Sequence, residues 1–167
     1  LKNRIALVTG ASGQLGAQYC RALAKEGCKV WASDLNEKLA AVSVEDLPTG
    51  LEARPLVIDV ADPRSVADGF QEIERHSGGL DILVNNAGIA VFDSFESRTF
   101  EDFMNVMKVN AGGTFLCIQQ AAKLMPLNNL PGSIINIGSI YGVVSGDPKI
   151  YTDCARDTSE CYGASKA

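Results

Sequence analysis

Near its start the chain runs from a short apolar stretch, Ile5-Ala6-Leu7-Val8, straight into a spaced glycine triplet, Gly10-Ala11-Ser12-Gly13-Gln14-Leu15-Gly16. An apolar run bounded by turn residues reads as a buried strand. Leu15, Tyr19, Ala22 and Leu23 then recur at helical spacing, and Gly27 follows Lys25-Glu26 as a stop. The glycine turn therefore joins a strand to a helix. A helix N-terminus presents unpaired N–H groups and partial positive charge, and glycines let a pyrophosphate approach that backbone closely. The spacing is G-x-x-G-x-x-G, not G-x-G-x-x-G, and a glycine triplet by itself also marks an ordinary tight turn.

The same alternation continues along the chain. Lys29 to Ser33 reads as a second strand and ends in Asp34, eighteen residues beyond Gly16. An acid there can accept from both adenosine ribose hydroxyls and repels a 2′-phosphate, which favours NAD over NADP; it can equally be a loop acid, or a cap for the helix around Leu39 and Val42. Ala53 to Ile58 reads as a third strand, and Pro55, which lacks a ladder donor, puts it at a sheet edge. Asp59-Val60 then faces the adenine side of a cleft, or Asp59 serves a turn. Asp62-Pro63 starts a helix with Val66, Phe70 and Ile73 as its buried stripe. His76, the single histidine, is expected to be a solvent-facing residue at the end of that helix.

Leu80 to Val84 is a fourth strand running into Asn85-Asn86-Ala87-Gly88, where amides suit hydrogen bonding around a cofactor or an Asx-type turn. A helix from about Thr99 carries Phe100, Phe103, Met104 and Met107 as core and interface packing. Asn110 reads as a polar interruption ahead of a further helix, Thr114 to Met125, closed by Pro126. Ser133 to Ile137 is a fifth strand with Ser139 just past its carboxyl end, where ligands of open parallel sheets bind. Ser145 to Glu160 is polar and reads as a surface insertion. Five strands separated by helices predict an α/β, doubly wound parallel sheet of order 3-2-1-4-5.

A chain of 167 residues suits one domain. Net charge is −5 with no basic run, so nucleic acid and anionic membrane have no electrostatic footing as partners. The five cysteines, Cys20, Cys28, Cys117, Cys154 and Cys161, include no C-x-x-C pair; they read as reduced thiols of a cytoplasmic protein, with no metal site expected. No apolar stretch is long enough to span a membrane. At the far end lies Tyr162-Gly163-Ala164-Ser165-Lys166. On a helix, the phenol and the ammonium are one turn apart, and an ammonium at ~4 Å favours a phenolate by roughly 4 kcal/mol at an effective dielectric of ~20. The plain alternative is an ordinary helical Tyr and Lys.

Taken in order, Thr9-Gly10…Gly16, Asp34, Asp59-Val60, Asn85-Asn86-Ala87-Gly88, Asn110, Ser139 and Tyr162-x-x-x-Lys166 resemble the short-chain dehydrogenase/reductase family. The resemblance covers essentially the whole chain. It implies a Rossmann-like NAD(P)-dependent oxidoreductase that transfers a hydride between the nicotinamide and an alcohol or carbonyl substrate. Tyr162 is then the general acid/base, and Lys166 favours its phenolate and holds the nicotinamide ribose. Ser139 bonds the substrate oxygen and Asn110 steadies a water that relays protons to Lys166. The implied cofactor-binding set is Gly10, Ser12, Gly13, Gln14, Leu15, Gly16, Asp34, Leu35, Asp59, Val60, Asn86, Ala87 and Gly88, with Tyr162 and Lys166. NAD is the expected cofactor and NADP the less favoured one.

Departures from the pattern point elsewhere. Gln14 stands where the dehydrogenase branch has glycine, and the glycine spacing, Ile140-Tyr141-Gly142 and the long Ser139 to Tyr162 interval resemble the nucleotide-sugar epimerase/dehydratase branch. The mixture resembles members linked to flagellin and surface-glycan modification, which implies a sugar derivative as substrate. Family members continue past this motif. On that basis residues 1–167 are expected to be a single dinucleotide-binding domain, C-terminally incomplete and without the later strands, and a homo-oligomer when full length. A dinucleotide-binding portion without catalysis is the remaining alternative.

Overall fold

The computed structural model describes residues 1–45, 52–125, 131–147, 149 and 159–167. Pro48, Gly50, Pro126, Cys154 and most of the polar segment before Glu160 lie outside the described residues. Five strands, β1 (Ile5–Thr9), β2 (Lys29–Asp34), β3 (Ala53–Val57), β4 (Ile82–Asn85) and β5 (Ser133–Asn136), form one parallel sheet. Its order is β3-β2-β1-β4-β5, as the alternation predicts. The helices are α1 (Gln14–Lys25), α2 (Glu37–Glu45), α3 (Pro63–Ser77), α4 (Phe100–Met107), α5 (Gly113–Leu124) and α6 (Glu160–Lys166).

Parallel strands need crossover helices, and here these bury both faces of the inner strands β1, β2 and β4, while β5 is exposed. Side chains alternate along β1: Ile5 and Leu7 join Val66, Phe70 and Ile73 of α3 and Cys117 of α5, while Ala6 and Val8 join Cys20 and Ala24 of α1. Pro55 lies in β3, the outermost strand, where a residue without an N–H is tolerated. Asp62 caps α3 by accepting from the Arg64 N–H at 2.9 Å, and Gly78 ends that helix at φ 77°.

The structure refines the sequence reading at four places. The helix marked by Leu15, Tyr19, Ala22 and Leu23 forms as α1; its buried positions are Gly16, Cys20 and Ala24, small residues every fourth place that let it lie close on the sheet, with Tyr19 and Leu23 packed beside them and Leu15 turned outward. Phe100 and Met104 of α4 are exposed and only Val106 is buried there, because α3 and α5 already cover that sheet face. His76 sits exposed in the last turn of α3, as expected, with its ring beside Trp31 and its Nδ1 3.0 Å from a Glu72 carboxylate oxygen. Asn110 is not an interruption between separate helices. Instead α4 passes into α5 through a π-helical turn, Lys108–Gly112, which turns Asn110 into the interior.

The sequence also hid the partner of Asp81. This buried carboxylate accepts from Arg4 Nη1 and from the Ile5 N–H, each at 2.8 Å, and so pins the start of β1 beside β4.

Cys20, Cys28, Cys117 and Cys161 are buried free thiols. Burial pushes the Cys20 and Cys117 thiols up to about 12, so neither is a thiolate near neutrality. Brief alkylation of the native protein followed by mass measurement should leave both unmodified; modification as fast as in a denatured control would contradict this packing.

Candidate active site

After β3 the chain returns across the sheet to place β4 beside β1, and ligands of such sheets bind where the order reverses, beyond the carboxyl ends of the strands. A cleft of about 480 Å³ opens there. The turn after β1 contributes Gly10, Ser12, Gly13, Gln14 and Leu15; Asp34 ends β2 and Leu35 follows it; Asp59 and Val60 follow β3; Asn86, Ala87 and Gly88 follow β4. Gly16 lies beneath them, buried at the start of α1. Leu39, Ile58, Ile89 and Val109 complete the walls and were not expected. Three of these adjoin a residue the sequence singled out; Leu39 gave no signal. A larger hollow of about 700 Å³ lies at the opposite ends of the strands around Trp31 and Arg54, and it carries none of the motif residues.

The glycine turn is built for close approach. Gly10 has φ 63°, and a Cβ there would stand 2.8 Å from Ala87 Cα; a Cβ at Gly16 would stand 2.2 Å from the Gly10 carbonyl oxygen. Asn86 braces this turn from β4, its Nδ2 donating to the Thr9 and Gly10 carbonyls at 2.9 and 3.0 Å. Thr9 Oγ1 accepts in return from the N–H groups of Asn86 and Ala87, both at 3.1 Å.

Asp34 reaches the same turn. Its Oδ2 accepts from the Ser12 N–H and hydroxyl at 2.9 and 2.7 Å, and its Oδ1 accepts from the Leu35 N–H. It does not cap α2: Asn36 does, accepting from the Leu39 N–H at 3.1 Å. Asp59 serves both sequence readings, since it lines the cleft while its Oδ1 closes a turn onto the Ala61 N–H.

Tyr162 and Lys166 lie on α6, which Ser159 caps by accepting from the Tyr162 N–H, and Lys166 reaches the end of this cleft beside Gly88. Lys166 Nζ lies 5.9 Å from the centre of the Tyr162 ring and donates to the Ile137 carbonyl at 2.8 Å. Burial holds this ammonium below the ordinary lysine range. Asn110 spends its amide on two neighbours: Oδ1 accepts from the Ile89 N–H, and Nδ2 donates to the Ile89 carbonyl and to Ser165 Oγ. Ser165 Oγ donates onward to the Tyr162 carbonyl. A Cβ at Gly88 would lie 3.4 Å from Asn110 Oδ1 and 3.5 Å from Lys166 Nζ, so the floor of the cleft ends at both groups.

Ser139 sits just beyond β5, its Oγ accepting from the Tyr141 N–H at the start of a short 3-10 turn, Ile140–Gly142. Two glycines bring that turn against α6. A Cβ at Gly142 would fall 2.3 Å from the Lys166 carbonyl oxygen, and one at Gly163 would fall 2.8 Å from the Tyr141 carbonyl oxygen. Ser165, Gly142 and Gly163 were not singled out, though Ser165 and Gly163 lie inside the Tyr-Gly-Ala-Ser-Lys stretch itself.

Residues 4–167 match the profile of the short chain dehydrogenase family. The chain belongs to that family. Among short-chain dehydrogenase relatives, 2-(S)-hydroxypropyl-CoM dehydrogenase 3 of Xanthobacter autotrophicus is 36% identical over 156 residues, covering 93% of this chain and 60% of the relative. D-threitol dehydrogenase of Mycolicibacterium smegmatis is 34% identical over 151 residues, covering 90% and 58%. A crystal structure of a short-chain type dehydrogenase/reductase from Mycobacterium marinum superposes with a TM-score of 0.90 at 29% identity, covering 99% of this chain and 63% of that one. The chain thus spans about three-fifths of these relatives' own lengths.

Proposed function

We propose that the full-length protein is an NAD-dependent oxidoreductase that interconverts an alcohol and its carbonyl compound. The observation that carries this reading is that α6 delivers Lys166, with Tyr162 one turn away, to the end of a cleft floored by glycines. The cradle suits a dinucleotide: Gly10 and Gly16 leave no room for side chains where a backbone must meet a pyrophosphate. When bound, the nicotinamide supplies the hydride acceptor or donor.

The remaining work falls to the chain's own residues. The N–H groups opening α1 hold the pyrophosphate, and Asp34, with acceptor capacity left beyond its Ser12 and Leu35 bonds, takes the adenosine ribose. Carbonyl reduction builds negative charge on oxygen; Ser139 Oγ and the Tyr162 hydroxyl donate to that atom, and Tyr162 gives up the proton. Lys166 favours the phenolate and holds the nicotinamide ribose. Asn110 fixes Ile89 against Ser165, and the space before Gly88, within reach of Asn110 Oδ1 and Lys166 Nζ, suits a water that passes protons to the lysine.

The relatives' names, both dehydrogenases, favour this reading over an epimerase or dehydratase. The relative named D-threitol dehydrogenase supports a polyol or sugar derivative as the first substrate class to try. The exposed Phe100, stacked on the half-buried Phe103, supports self-association, and the free thiols support a cytoplasmic setting. Asp34→Ser in the full-length protein tests the cofactor assignment. Loss of charge-assisted hydrogen bonds worth about 1.5–3 kcal/mol should lower kcat/KM for NAD by roughly 10- to 100-fold and raise that for NADP. A parent that uses both cofactors equally would overturn the preference, and one that retains cofactor without net NADH formation would favour the epimerase reading.

A further inference from the structure

Arg98 lies between the loop that follows β4 and the first residue of α4, and its side chain is only 4% exposed. Its Nη1 donates to the Glu160 carboxylate and its Nη2 to the Asp93 carbonyl, while Nε is buried with no partner among the described residues. Such a cation is costly to bury, and a partner carboxylate offsets that cost only if it stays in register with the planar fork. The cation's own place is fixed. Thr99, the next residue, forms a capping box with Asp102 and so holds Arg98 to the rigid start of α4.

Glu160 is the first residue of α6 and stands two places before Tyr162. At its other end the helix is held by the Asn110–Ser165 hydrogen bond and by Lys166 on the Ile137 carbonyl. The helix is therefore tied at both ends, and the tie nearer to Tyr162 is the one made by Arg98. We propose that the Arg98–Glu160 pair positions the catalytic tyrosine, by fixing where α6 begins relative to the cleft. Neither residue lines the cofactor cleft; both line a separate hollow of about 570 Å³ beside α6, and the pair acts through the seating of that helix. Without the pair, α6 pivots about its anchored C-terminal end, and Tyr162 moves further than Lys166.

This rests on the oxidoreductase reading, and the test keeps the two apart. In the full-length protein, Glu160→Gln retains the shape and removes the charge. The expected result is a fall in kcat of roughly 10- to 100-fold with KM for NAD changed less than about three-fold, since a displacement near 1 Å is enough to cost that much rate. Glu160→Asp, which keeps the charge, should recover part of the loss. Unchanged kcat at a temperature well below melting, with or without a lower Tm, would overturn the proposal. Should Glu160→Gln fail to fold, Arg98→Lys keeps the buried charge but not the fork that reaches Glu160 and Asp93 together, and it should give the same kcat loss. A parent that binds NADH yet shows no turnover would sink the oxidoreductase reading. The pair is then judged by amide hydrogen exchange, where faster exchange confined to the first turn of α6 in Glu160→Gln supports the seating and unchanged protection overturns it.

Discussion

Tyr162→Phe in the full-length protein is expected to lower kcat by about 10²- to 10⁴-fold, the ordinary contribution of a positioned proton donor. The substitution removes one oxygen and leaves the ring beside Lys166 Nζ, so the stacking of cation on ring persists while proton transfer does not. NAD affinity should change by less than a few-fold, because the cleft is built by the loops after β1, β2, β3 and β4 and α6 touches only its end. Paired measurement of turnover and of NADH binding by fluorescence checks both halves. Turnover within a few-fold of the parent would remove Tyr162 from the chemistry; loss of binding and turnover together would mean that α6 helps to build the cleft itself.

The second large effect belongs to Gly16. An alanine there puts a Cβ 2.2 Å from the Gly10 carbonyl oxygen, 2.8 Å from Ala11 Cα and 2.9 Å from Asn86 Nδ2. Two of these neighbours are backbone, so the turn itself has to move and carry its N–H groups away from the phosphate position. Overpacking of this kind costs about 1–3 kcal/mol, and the same displacement should weaken NAD binding by roughly 10- to 100-fold. Gly13→Ala is the control. Its nearest contact is 3.3 Å, to the Gly10 carbonyl oxygen, and its φ of −68° suits any residue. Calorimetric titration with NAD should find Gly16→Ala weaker than Gly13→Ala, whose Cβ leaves the turn in place. Parental affinity in Gly16→Ala would mean that the turn does not hold the cofactor.

Much of this site was legible because contiguous residues encode it. Gly10 to Gly16 announce a strand-to-helix turn, and Asp34, Asp59 and Asn86 each fall at or just past the end of a strand whose apolar run is plain. Pro55 even placed β3 at an edge before any pairing was known. Errors came where a local pattern was read without its neighbours. Leu15 and Ala22 have helical spacing, yet Gly16, Cys20 and Ala24 face the sheet, because closeness of packing outweighs side-chain hydrophobicity on that side. Asn110 looked like a break because a polar residue in an apolar stretch gives no hint that a π turn will bury it against Ile89. Asn36, an N-cap by residue type, was overlooked in favour of Asp34, whose carboxylate is drawn away to Ser12.

The sequence alone settled the run of strands and helices, the order of the sheet and most of the residues that line the cleft, since periodicity and turn chemistry act over a few neighbours. Tertiary structure alone decided which groups meet. Asn110 with Ser165, Arg98 with Glu160, and Arg4 with Asp81 are joined across 55, 62 and 77 residues. Nothing short-range selects such partners. They follow from how the helices lie on the two faces of the sheet, where a buried amide, cation or carboxylate must find its complement or bear the cost of desolvation.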